Sequence, residues 1–267
     1  MILDREAEMD MHNDQAAPED SRVSLASRRD LIKGGLAGVA AGLAAVGSQA
    51  NALAPSALGA TMKAFADGHE LKPLPFDTSK LRGLSRRLIE SHWSNNYGGS
   101  VRALNIVNKR LNAALGDPDM QPYIYNDLKR EHLMRTGSVV LHELYFDNLG
   151  GDGVAPADVR SLIARAFGSY DRWESEYRRI ASGLGGGSGW VVFGYNTQLR
   201  ALENYWMADH LHSPVSTAPL LVLDMYEHSY HMDYGAAAGR YVDAFFRNIN
   251  WDSVGARVAH VLGDGNG

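Results

Sequence analysis

An α+β fold is expected from three observations. Two long stretches carry apolar residues at helical spacing, and each buries one histidine among large side chains. Three short strand-like runs come after them, joined by short connections. Further helix-period segments flank those runs and close the chain. Strands adjacent in sequence imply a small three-stranded antiparallel sheet beside helices, and the paired helices before it imply an antiparallel hairpin. At 267 residues the chain is long enough for one or two domains with a sizeable core.

The elements are read in order, after the N-terminus is set apart. Residues 1–54 are read as a twin-arginine signal and not as fold. Ser27-Arg28-Arg29-Asp30-Leu31-Ile32-Lys33 is followed by a Gly/Ala-rich segment from Gly34 to Gly47, too short for a membrane span. A-x-A cleavage sites end at Ala52 and Ala54, and Pro55 favours the cut after Ala52. This predicts twin-arginine export of a folded chain, with a periplasmic or secreted product and no stable membrane insertion after cleavage. Residues 55–70 read as a linker. Leu71 to Thr78 is an extended, Pro-containing lead-in, and Thr78 or Ser79 can cap the next helix.

From Leu81 to about Leu115 the spacing is helical, with His92 and Trp93 on the apolar face. Gly98-Gly99 predicts a kink there, and Gly116-Asp117-Pro118 a stop. A second helix over about 128–148 carries Val139, Leu141, His142, Tyr145 and Phe146 inward. Gly150 to Gly153 marks a boundary between residues 71–150, the helical hairpin, and residues 151–267, the sheet-bearing part. Helices over 157–166 and 170–180 come next. The Gly-rich turn over 183–189 lacks the Lys-Ser/Thr of a phosphate loop, so that role is rejected. Strands are expected over 190–195, 198–207 and 220–223, then helices over 228–240, 241–249 and 250–261.

The third strand ends at Asp224, and His228 stands four residues later. A carboxylate and an imidazole at that spacing can share one first-row metal ion, given two more nitrogen ligands. Alone the pattern is weak. The chain has no cysteine, so a metal must be held by His, Asp, Glu or water. Without residues 1–54 it keeps 21 Lys/Arg against 23 Asp/Glu, and no basic run stands out, which argues against nucleic-acid binding.

Four stretches together resemble the iron/manganese superoxide dismutase family over about residues 71–262. They are His92 in S-H-W-x-N-N-Y, His142 in L-H-E-L-Y-F, Phe167 to Trp173 with Gly187-Ser188-Gly189-Trp190, and Asp224-Met225-Tyr226-Glu227-His228-Ser229-Tyr230 with Asn250-Trp251 downstream. The resemblance implies His92, His142, Asp224 and His228 as ligands of one Fe or Mn ion per subunit. It implies superoxide as substrate and a metal alternating between trivalent and divalent states. It also implies that Glu227 crosses a dimer interface to the partner's ligand histidine, so that a homodimer or a tetramer is expected.

The sequence departs from that family around the centre. Asn96 and Ser100 stand where a gateway His and Tyr are usual, and Tyr97 offers a phenol near the channel by another route. His231 replaces the tyrosine that pairs with the partner's gateway histidine, so an Asn96–His231 pair across the interface is expected. The solvent-binding Gln is missing at Ser138, and His210, with His212 as the alternative, takes its place. Phe146 and Tyr226 replace tryptophans, while Trp190 is kept. His210 and Tyr97 are therefore the candidate catalytic residues. The altered gateway leaves two other readings: a non-heme oxidoreductase of different substrate on this scaffold, and a metal-binding protein that has lost turnover.

Overall fold

A computed structural model describes residues 64–263. The twin-arginine motif and both cleavage sites lie outside the described residues. The described chain is α+β. Helix α1 (Arg86–Ser91) runs through a π-helical turn (His92–Tyr97) into α2 (Gly98–Leu115), and α3 (Pro122–Asp147) returns beside it. Then come α4 (Ala157–Phe167), α5 (Tyr170–Leu184), strands β1 (Trp190–Asn196), β2 (Ala201–Met207) and β3 (Thr217–Asp224), a short turn α6 (His231–Tyr234), α7 (Ala238–Arg247) and α8 (Trp251–Gly263). Among the described residues no helix is long and apolar enough to cross a membrane.

The hairpin begins later than expected, at Ser85. Its hydroxyl accepts from Leu88 N and donates to the Asp233 carboxylate, which also takes the Ser85 N–H. Asp77, one residue upstream of the two expected caps, caps only the 3-10 turn Thr78–Lys80. In place of a kink at Gly98-Gly99 the helix widens just before them. A π-helical turn bonds i to i+5, so residues five apart come onto one face. Here it places both His92 and Tyr97 in the buried interior, against His142 and Phe146. Helix α3 starts six residues before the expected Leu128, because Pro122 at its first turn has no N–H to leave unsatisfied. The crossing bonds, Tyr97 to Glu143 and Ser100 to Ser138, define an antiparallel pair.

The sheet order is β2-β1-β3, antiparallel throughout. Asp224 pairs with Trp190, and this register sets the carboxylate beside the indole. Strand β2 starts at Ala201, three residues later than expected. Asn196 Oδ1 accepts from Gln198 N and Leu199 N, an Asx turn that takes those residues out of the ladder. Strand β3 begins earlier, at Thr217. Pro219 is tolerated there because β3 is an edge strand. The single helix expected over 228–240 is broken. Gly235 takes a φ of 53°, and only the turns Glu227–Ser229 and His231–Tyr234 precede α7.

One continuous core includes Leu88 and Tyr145 of the hairpin together with Trp173, Phe193, Leu221 and Phe245. The seam between hairpin and sheet is tied by Asn148, which is fully buried just after α3. Its amide donates to Val222 O at 3.0 Å, and its own carbonyl accepts from Asn250 N at 2.7 Å. At the start of the described chain, Asn105 and Asn108 of α2 bond the backbone of His69 and Ala66.

Candidate metal centre

Four side chains from four segments meet at the hairpin–sheet seam. His92 comes from the π-helical turn, His142 from α3, Asp224 from the end of β3 and His228 from the turn after it. One donor atom from each lies within 4.8 Å of every other. Asp224 Oδ2 is 3.1 Å from His92 Nε2, 3.6 Å from His142 Nε2 and 3.2 Å from His228 Nε2.

Burial sets the charge of this group. Asp224 is fully buried, and His92 and His142 are 1% exposed. Burial lowers the imidazole of His92, and pushes that of His142 down to about 3, so both stay neutral. Burial would raise the carboxyl of Asp224. The charge of His228 and the contacts with His228 and His92 outweigh it and hold Asp224 ionised, well below the usual carboxylate range. Its Oδ1 accepts from Tyr226 N at 2.8 Å, and its backbone carbonyl accepts from the hydroxyls of Tyr241 and Ser229. These bonds fix the carboxylate in place.

The tautomers point the same way. His142 Nδ1–H donates to Ser138 O at 2.7 Å, which leaves its Nε2 lone pair free to face the centre. His142 Nε2 and both ring nitrogens of His92 are buried with no hydrogen-bond partner. The His92–Asp224 contact, short as it is, lacks the direction of an N–H bond. An orphaned buried nitrogen costs about 1–3 kcal/mol, and a cation removes that cost. Three imidazole nitrogens and one carboxylate fit a single divalent or trivalent first-row ion. The side chain of His228 is 27% exposed, so the approach from solvent lies on its side.

The two candidate catalytic residues lie on different sides of His142. His210 is half-buried in the loop after β2, its ring 6.0 Å from that of His142. Trp190 Nε1 donates to His210 Nδ1 at 2.9 Å. An indole can only donate, so neutral His210 carries its proton on Nε2. His212 is more exposed and pairs with Asp209 at 2.9 Å. Tyr97 packs its ring on His142, but its hydroxyl donates to Glu143 at 2.9 Å and accepts from Lys72 N at 3.1 Å. Burial pushes this phenol up to about 12. Lys72 and His69 also bond Glu143. Tyr97 and Glu143 line a cleft of about 330 Å³ with Trp93 and Phe146, and none of the four converging donors lines it. Ser100, the serine at the gateway position, bonds Ser138 at 2.7 Å.

Gly137 was not singled out from the sequence. A Cβ there would overlap the carbonyl oxygen of His210, so glycine lets the His210 loop lie against the backbone of α3. Nothing in the residues around it signalled this, since the contact spans more than seventy residues.

An α+β fold with a buried three-histidine, one-carboxylate centre defines a mononuclear non-heme metalloprotein. Residues 155–257 match the profile of the iron/manganese superoxide dismutases, C-terminal domain. The chain is 47% identical over 196 residues to a protein of Cupriavidus metallidurans named superoxide dismutase [Fe], covering 73% of this chain and 99% of that one. It is 34% identical over 202 residues to the superoxide dismutase [Fe] of Aquifex pyrophilus, covering 73% and 93%. It is 31% identical over 191 residues to superoxide dismutase [Mn] 1 of Halobacterium salinarum, covering 69% and 92%. The chain belongs to the iron/manganese superoxide dismutase family.

Proposed function

We infer that this chain is an exported superoxide dismutase holding one Fe or Mn ion per subunit. The observation that carries the reading is the convergence of three imidazole Nε2 atoms on the buried carboxylate of Asp224. His92, His142, Asp224 and His228 are the ligands. The bound ion supplies one-electron exchange, so that two superoxide ions and two protons give one dioxygen and one hydrogen peroxide.

The protein's own residues do the rest. Asp224 lowers the charge of the centre, and Ser138 O orients His142. The partly exposed edge at His228 admits the small anion. His210, fixed as the Nε2–H tautomer by Trp190, offers a hydrogen-bond donor beside the centre. Tyr97 packs against His142, and through Glu143 and Lys72 it ties that ligand's helix to the lead-in segment. Metal content and dismutation rate, measured on one sample of mature protein, test the reading. About one Fe or Mn per chain is expected, with both metal and rate lost in His142→Ala. Bound metal without dismutation would sink it.

Export rests on the order of motif, Gly/Ala-rich segment and A-x-A site in residues 27–54. Replacing Arg28 and Arg29 with Lys is expected to leave active, uncut protein in the cytoplasm. Unchanged appearance of the mature form outside it would overturn this assignment. A homodimer or tetramer is supported by Glu227, which is exposed one residue before a ligand, and by His231, exposed four residues further along the chain. A monomer in sedimentation would refute the assembly.

A further inference from the structure

We propose that Tyr226 is a positioning residue that holds His210 against the metal centre through a stack of near-parallel rings. The proposal deepens the reading of His210 as a donor beside the centre and rests on it. His210 sits in a loop between β2 and β3 and not on a strand or helix, so its side chain needs restraint from outside the loop. Gly137 supplies a backbone contact with His210, and Trp190 supplies one hydrogen bond. Neither fixes the tilt of the imidazole about that bond.

Tyr226 does. Its ring stacks on His210 at 4.8 Å between centroids and 14° between planes. The same ring stacks on the ligand His228 at 5.3 Å and 23°. His228 in turn lies near-parallel to His142 at 5.9 Å and 16°. One aromatic side chain thus ties the plane of His210 to the plane of a ligand.

The test is a double-mutant cycle on the metal-loaded enzyme, with metal content checked in every variant. The readouts are the reduction potential of the bound metal and its visible absorption spectrum. His210→Ala is expected to move the potential. Tyr226→Leu, which removes the ring, is expected to move it in the same direction, and the double variant no further than His210→Ala alone. Tyr226→Phe keeps the stack and is expected to return most of the shift. A moved potential in His210→Ala with none in Tyr226→Leu, or strictly additive shifts, overturns the role of Tyr226 alone. An unmoved potential in His210→Ala overturns the reading of His210 and this proposal with it. If Tyr226→Leu does not load metal, Tyr226→Met fills the space without a ring and carries the same comparison.

Discussion

Asp224→Asn is expected to abolish both metal retention and dismutation while leaving the fold in place. The substitution keeps the side chain's shape, and its oxygen can still accept from Tyr226 N. What it removes is the only negative charge among four donors, at a side chain that is itself fully buried. Three imidazole nitrogens then face a cation with no charge to offset its desolvation. A ligand that binds only the folded state adds about 4 kcal/mol when present at a thousandfold excess over its Kd. The wild-type protein should therefore melt at a higher temperature with metal than after chelation, and the variant should melt at one temperature in both conditions. Metal analysis and calorimetry on the same preparations check this. A variant that keeps stoichiometric metal would show that the histidines alone hold it.

The architecture around that carboxylate was legible where spacing carries it. Helical periodicity gave the hairpin, and short apolar runs with brief connections gave the sheet. The D-x-x-x-H pattern at a strand end marked Asp224 and His228. It could not join them to His92 and His142, because the two histidines sit on other elements and no spacing links them; the family resemblance did that. The π-helical turn was not legible, since Gly98-Gly99 signals a weak point but not whether the helix bends or widens. The direction of the Tyr97 phenol was equally hidden. It depends on Lys72 and Glu143, which lie 25 and 46 residues away. The break at Gly235 was missed because Tyr230, Tyr234 and Tyr241 still fall at roughly helical spacing, while the backbone leaves helical geometry at Tyr230, Gly235 and Ala237.

Gly151→Ala tests the seam that sets the distance between His142 and Asp224, and a large loss of stability is expected. His142 lies six residues before Asn148, and Asp224 lies two after Val222, so the Asn148 Nδ2 to Val222 O bond fixes helix against strand. The same seam is closed by Asn250 N to Asn148 O and by Gly151 N to Asn248 O. A Cβ on Gly151 would overlap the carbonyl of Ile249 and come within 2.5 Å of Asn250 Cα. Both obstacles are backbone, so no change of rotamer relieves them. The segment over 249–250 must move away, and the bond to Asn148 goes with it. The expected cost exceeds about 3 kcal/mol, a large fraction of the 5–15 kcal/mol that usually holds a domain together. Gly255→Ala is the control. It lies inside α8, its added Cβ meets only Val159 Cγ2 at 3.7 Å, and it should stabilise by about 0.5–1 kcal/mol. Urea midpoints at constant m-value give both numbers. Because the seam also spaces His142 from Asp224, Gly151→Ala should weaken metal retention in the protein that still folds, whereas Gly255→Ala should not. Equal metal affinity in both would mean that the four donors are placed by their own elements and not by the seam between them.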